Sequence, residues 1–177
     1  MPSGKTHDAI TFLSAAPILG LAWLGSGAFS DAAVIAIAFV FGGLMFGPDL
    51  DTKSVQYSRW GVFRVFWFPY KGFFKHRSRW SHGLVFGTLF RVIYFAGAIT
   101  VFTFLIAFII ATYSNRQIPQ FFEFVNAWDA FGDIARENLG PNIFYFVFAG
   151  LWLGAASHTF TDMAGSYIKT GRISEFL

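Results

Sequence analysis

The sequence predicts an all-α integral membrane protein with about four hydrophobic helices and interfacial amphipathic segments. The first observation behind this is composition. Hydrophobic residues make up 55% of the 177, charged residues only 13%, and there are 25 Phe and 6 Trp. Soluble domains sit near 25% charged. A soluble domain of this size leaves about 30% of its extended surface in water, too much for so apolar a chain to cover. Intrinsic disorder is excluded on the same ground. The second observation is that charges are missing from four long runs. The third is that histidines and aspartates collect at the ends of those runs.

The length bounds the chain to a single domain, residues 1–177. There is no cysteine, so disulfides and thiolate metal ligands are both excluded. The net charge of +3 suits anionic lipid but is too small to predict a nucleic-acid partner.

The first uncharged run covers 9–30, with Ile10–Gly27 as its span and Ser14 and Pro17 inside it. His7 and Asp8 interrupt the region where a cleavable signal would be clean, so none is expected. The second run covers 32–48, and Ala33–Gly47 reaches only about 23 Å as a helix. A span needs about 20 apolar residues. The first pair is therefore expected as a short or tilted hairpin, with buried core helices as the alternative.

Residues 49–82 interleave seven bases, Lys53 to Arg79, with aromatic residues from Tyr57 to Phe74. Trp and Tyr gather at membrane–water boundaries and basic stems snorkel there, so this reads as an interfacial arm. The same interleaving suits single-stranded nucleic acid; four neighbouring apolar spans favour the membrane. The third run covers 92–115, or 83–115 with Arg91 inside. The fourth, 138–161, is interrupted only by His158. Between them, 119–137 places Phe121, Phe122, Val125, Trp128, Phe131 and Ile134 near helical spacing, with acids mostly between them. That predicts an amphipathic helix.

If all four runs cross, Lys5, the seven bases of 49–82, Lys169 and Arg172 share one side. Arg116 and Arg136 lie on the other. The positive-inside rule puts the ten in the cytoplasm. His7-Asp8 precedes the first span, Pro48-Asp49-Leu50-Asp51 ends the second, His76 to His82 leads into the third, and His158 to Asp162 ends the fourth. An up-down-up-down path brings all four to the cytoplasmic face. A re-entrant first pair gives the same result.

His158 and Asp162 are i and i+4, which suits shared ligation or a His–Asp hydrogen bond. His76 and His82 are six apart and cannot both face one ion from a straight helix. His76 is expected in the loop, with Ser81 capping the helix that His82 opens. Imidazole and carboxylate without thiolate suit a divalent transition metal: zinc first, with manganese or iron as alternatives. The donors exceed one closed zinc site, so a catalytic ion with a solvent position or two ions sharing a carboxylate are expected. Asp49 or Asp51 then serves as base.

Gly150 and Gly154 precede His158 and Asp162 at i+4 steps, Gly43 and Gly47 precede Asp51, and Gly83 and Gly87 follow His82. Such stripes let helices approach closely. Arg91 continues the last stripe, about 13 Å beyond His82. Snorkelling and holding a phosphate are the two roles open to it. Arg77 and Arg79 fit the second role equally well.

Thr6-His7-Asp8, residues 42–51 (GGLMFGPDLD), residues 54–61 (SVQYSRWG) and the His76–Gly83 segment closely resemble an uncharacterised family of metal-binding membrane proteins, best represented in cyanobacteria. The resemblance covers nearly the whole chain. More remotely, the pattern is similar to membrane-bound metal-dependent hydrolases regulated by the SOS repressor, and to the zinc-dependent phospholipase C and P1 nuclease group. The resemblance implies His7, Asp51, His76, His82, His158 and Asp162 as metal ligands, with Asp49 as an alternative ligand or base. The distant group carries more ligands than this chain supplies.

The function expected is metal-assisted hydrolysis of a phosphate ester, with a phospholipid headgroup among the substrates. Asp49 is cast as base, and Arg77 and Arg91 as anion-holding residues. The alternative is a non-catalytic, metal-stabilised subunit or assembly factor of a larger membrane complex.

Overall fold

A computed structural model describes residues 3–73, 83–84 and 86–171. Every regular element among them is helical. Four segments are long and apolar enough to cross a membrane: Gly4–Ser26, Phe29–Asp51, Phe86–Tyr113 and Ile143–Thr170. The chain divides into two compact units, one of Met1–Arg91 with Phe144–Leu177, the other of Val92–Ile143.

In the first unit, α1 (Gly4–Ser26) begins six residues before the apolar span read from the sequence. The Ser3 hydroxyl caps it by accepting from the Thr6 N–H at 3.3 Å. Capping at Ser3 winds His7 and Asp8 into the first turns, where they would otherwise precede the helix. At 23 residues α1 is about 34 Å long, enough to cross a membrane despite Pro17. Gly27 ends it at φ 72°, a left-handed position that favours glycine, and α2 (Phe29–Leu44) returns alongside. Only His7 and Thr11 of α1 are buried. Leu13 and Leu24 are more than three-quarters exposed, an outer surface suited to lipid.

After α2 come a 3-10 turn (Pro48–Asp51), the short α3 (Val55–Arg59), a 3-10 stretch (Gly61–Trp67) and α4 (Phe68–Phe73). One side of this arm is core rather than surface. Trp67 and Tyr70 are fully buried and meet edge-to-face at 5.5 Å, and Trp67 also packs on Phe46 and Trp60. Val62, Phe63, Val65 and Phe68 remain exposed.

The long helix α5 (Phe86–Tyr113) starts in this unit, and α7 (Ile143–Thr170) lies against α2. A Cβ at Gly150 would sit 2.4 Å from the Ile35 carbonyl oxygen, and one at Gly154 2.2 Å from that of Phe39. Backbone touches backbone there, so the glycine stripe is a packing face. A Cβ at Gly43 would meet the Thr11 hydroxyl at 2.6 Å, so α2 packs on α1 there through the Thr11 side chain.

In the second unit, α6 (Phe121–Leu139) is the amphipathic helix expected over 119–137. Phe121 and Phe124 pack edge-to-face on Phe104, and the Trp128 indole donates to Thr100 Oγ1 at 2.7 Å. As α6 advances, its partners on α5 recede, so the two run antiparallel.

Candidate metal centre

The glycine contacts determine where the chemistry lies. Gly154 locks α7 to α2, and His158 and Asp162 follow one and two turns later, beside the end of α2. Thr11 locks α1 to Gly43, and His7 lies one turn earlier, its carbonyl accepting from the Thr11 hydroxyl at 2.9 Å. First and last helices therefore present His7, His158 and Asp162 to one point. One donor atom from each lies within 4.8 Å of the others.

His7 Nε2 is 3.2 Å from Asp162 Oδ1, and His158 Nε2 is 3.6 Å from Asp162 Oδ2. The two imidazoles stack with centroids 3.8 Å apart and planes 13° from parallel. Two imidazolium ions would repel in that arrangement. All three side chains are buried, and Asp162 is 2% exposed. Among the described residues, neither oxygen of Asp162, nor His7 Nδ1, nor His158 Nε2 has a hydrogen-bond partner. An uncompensated buried carboxylate costs several kcal/mol. Donors about 2.1 Å from an ion lie about 3.0–3.4 Å apart in octahedral or tetrahedral arrangements. The His7–Asp162 separation of 3.2 Å falls in that range and the His158–Asp162 separation of 3.6 Å is slightly beyond it, so with a small adjustment these residues fit a divalent cation.

Asp49 is next to this group. Its Oδ2 is 3.3 Å from His158 Nε2, and its side chain keeps 24% exposure, more than any of the three. The turn that holds it is knit locally: its carbonyl accepts from Ser54 Oγ at 2.8 Å and Thr52 Oγ1 at 3.3 Å. Asp51, on the same turn, is buried outside the His7–His158–Asp162 group. His76, Arg77 and His82 lie outside the described residues, as does Arg79.

Arg91 is 1% exposed, so it does not snorkel. It donates to Thr88 Oγ1 at 3.0 Å and is within electrostatic reach of Tyr70, Asp51 and Asp49.

Two residues of the arm contribute what the sequence reading missed. Gln56 is buried, and both ends of its amide are fixed: Nε2 donates to the Gly43 carbonyl at 2.8 Å, and Oε1 accepts from the Asp49 N–H at 3.2 Å. The same Nε2 is 3.2 Å from His158 Nδ1. With the amide so oriented, Nδ1 is the acceptor and the imidazole carries its proton on Nε2, toward Asp49 and Asp162. A neutral ring coordinating through Nε2 would carry its proton on Nδ1 instead, and Gln56 could accept it only by turning Oε1 to the ring. As oriented, the amide holds His158 in its metal-free tautomer.

Arg59 is the other. It grips Asp8 with two nitrogens, Nη1 to Oδ1 at 2.9 Å and Nη2 to Oδ2 at 2.5 Å, and Nη1 also donates to the Leu44 carbonyl at 3.0 Å. A cavity of about 130 Å³ opens beside the pair, lined among others by His7, Asp8, Asp49, Arg59, His158 and Asp162. Nothing in residue spacing separates Arg59 from the six other bases of the arm.

No curated protein and no solved structure matches the chain. A family does, over residues 2–172. Converging buried imidazoles and a carboxylate without hydrogen bonds agree with its description, and the chain belongs to the uncharacterized metal-binding protein family DUF2227.

Proposed function

We propose that the protein is a membrane-bound metal-dependent hydrolase acting on a phosphate ester at the cytoplasmic membrane face. The observation that carries this is a buried His7–His158–Asp162 group opening, through the partly exposed Asp49, onto a cavity. His7, His158 and Asp162 hold the ion, zinc before manganese or iron. Asp51, His76 and His82 complete the ligand set for one or two ions, as the remote likeness to metal-dependent hydrolases and the phospholipase C group implies. The ten-to-two division of bases puts this face in the cytoplasm.

A bound divalent ion polarises a phosphoryl oxygen and lowers the pKa of a coordinated water toward about 7. Asp49 is placed to take the proton of the attacking water, being both adjacent to His158 and open to the cavity. Arg91 steadies the Asp49–Asp51 turn from within. Gln56 holds the His158 ring. Phospholipids are included among the substrates because the site is at the ends of membrane-spanning helices.

A second reading has its own observation. The three ligands are almost fully buried and tie the first helix to the last, as a structural ion would. The protein would then be a metal-stabilised subunit of a larger membrane complex. Coordination separates the two readings, since structural zinc is closed and catalytic zinc keeps a solvent position. Cobalt-substituted protein should show an exchangeable water, and Asp49→Asn should cut phosphate-ester turnover at least 100-fold while retaining the metal. A site saturated by protein ligands, with no turnover of phosphomonoesters, phosphodiesters or phospholipids, refutes the hydrolase.

A further inference from the structure

We infer that Arg59 is the anion-binding residue of the metal cavity and that Asp8 is its built-in placeholder, occupying the guanidinium until a phosphoryl oxyanion takes its place. The inference rests on the hydrolase reading for its substrate class, and its test does not require turnover.

Any phosphoryl group delivered to the His7–His158–Asp162 group needs a cationic partner within reach. Arg91 cannot reach out, being 1% exposed and engaged with Thr88. Among the described residues, Arg59 is the guanidinium that lines the cavity. It is about a third exposed, so a ligand can approach it without unfolding the arm. Its geometry is already that of oxyanion recognition, because the fork that meets both oxygens of Asp8 is the fork that meets two oxygens of a phosphate. The third contact, to the Leu44 carbonyl, keeps the head in place whichever anion it holds.

Asp8 is adjacent in sequence to the ligand His7 and lines the same cavity. The anion exchanged for it is therefore delivered beside the metal donors. A carboxylate held in the same protein competes at high effective concentration, which lowers apparent affinity for the incoming anion. Removing it should tighten anion binding, whereas for a purely structural ion pair it should do nothing of the kind.

The shared chemistry is a phosphomonoester-like oxyanion, either free in solution or on a lipid headgroup. An apolar groove of about 570 Å³ between α1 and α2, lined by Ala16, Leu19, Ala36, Ile37 and Val40, runs to Leu44 and Met45. Those residues are where the arm attaches, Arg59 to the Leu44 carbonyl and the Trp60 indole to that of Met45. A lipid whose phosphate meets Arg59 would lay its chain there.

The test is a calorimetric titration of inorganic phosphate into zinc-loaded, full-length protein in detergent. Asp8→Asn should bind phosphate at least 10-fold tighter than wild type. Arg59→Gln should weaken it at least 10-fold, with Arg59→Lys between. Phenylglyoxal labelling of Arg59, mapped by mass spectrometry, gives a second readout that needs no variant: phosphate should protect wild-type Arg59. Zinc content and thermal unfolding of each variant establish that it is folded. Equal phosphate affinity in Arg59→Gln and wild type, failure of Asp8→Asn to tighten, or labelling indifferent to phosphate overturns the inference. For the source of the oxyanion, lysophosphatidic acid and glycerol 3-phosphate compete against phosphate. A 10-fold preference for the lipid, abolished by Ala36→Trp in the groove, assigns a lipid headgroup; equal competition assigns a soluble ester. Phosphate binding with the expected pattern but no hydrolysis would refute the hydrolase reading alone. Hydrolysis unaffected by Arg59→Gln would refute this inference alone.

Discussion

Gly154→Ala tests whether helix packing positions the metal donors. A Cβ there would sit 2.2 Å from the Phe39 carbonyl oxygen and 2.6 Å from the Gly43 nitrogen. Both are backbone atoms that no rotamer change can move. Real Cβ contacts are rarely closer than 3.0–3.4 Å, so α7 and α2 must part by about 1 Å. Overpacking of this kind typically costs about 1–3 kcal/mol. The consequence for the site is larger than for the fold. His7 is fixed to α2 through Thr11 and Gly43, while His158 and Asp162 travel with α7. The 3.2 Å between His7 Nε2 and Asp162 Oδ1 would open to about 4.2 Å, the most that two donors 2.1 Å from one ion can span. Zinc affinity, measured by competition with a chromophoric chelator on full-length protein in detergent, should fall at least 10-fold. Gly20→Ala on α1 is the control, since a Cβ there meets nothing within 4 Å. It should leave affinity unchanged and not lower stability. Wild-type zinc affinity in Gly154→Ala, or an equal loss in Gly20→Ala, would refute the reasoning.

His7→Ala, His158→Ala and Asp162→Asn should each reduce metal to below a tenth of wild-type occupancy by elemental analysis, while Asp31→Asn, at the start of α2, should not. Gln56→Leu should cost about 10–100-fold in metal affinity. Gln56→Glu, which can accept a proton from Nδ1 of a coordinated His158, should bind metal more tightly than Gln56→Leu; equal loss in both would show that Gln56 only fills space. Single cysteines at Lys53 and Ser174 should label from the cytoplasmic side and one at Asn126 from the other, against no background in a chain without cysteine. Labelling of all three from one side would mean that the third and fourth spans do not both cross.

Which parts of this were legible in the sequence follows from what each depends on. The four candidate spans depend on local hydropathy alone, and the structure has four helices at those places. That His7, His158 and Asp162 belong to one cluster was legible because each lies at the end of an apolar run. Their meeting within 4.8 Å was not, because it needs the close packing at Gly43 and Gly154. The start of α1 was less legible, because Lys5, His7 and Asp8 end the apolar run while the Ser3 cap carries the helix past them. The arm was least legible. Trp67 and Tyr70 carry the same residue-level signal as the exposed Phe63 and Phe68, and only contacts with Phe46 and Trp60 distinguish them. Gln56 lies within the 54–61 segment that carries the family resemblance, but nothing there marks its role, which exists only where Gly43, Asp49 and His158 surround one amide. Arg91 sits in an apolar helix, where snorkelling is the usual resolution; the acids that keep it inside come from a turn some forty residues away.

The carboxylates around the site favour a cation there. Asp8, Asp49 and Asp162 line the cavity, and Asp51 shares the turn of Asp49. Arg59 is matched to Asp8, and Arg91 lies in the field of Asp51 and Asp49 together. Asp162 is 2% exposed, and neither of its oxygens has a hydrogen-bond partner among the described residues. An uncompensated carboxylate at that depth costs several kcal/mol. A cation held between His7, His158 and Asp162 would remove that cost without drawing on either guanidinium.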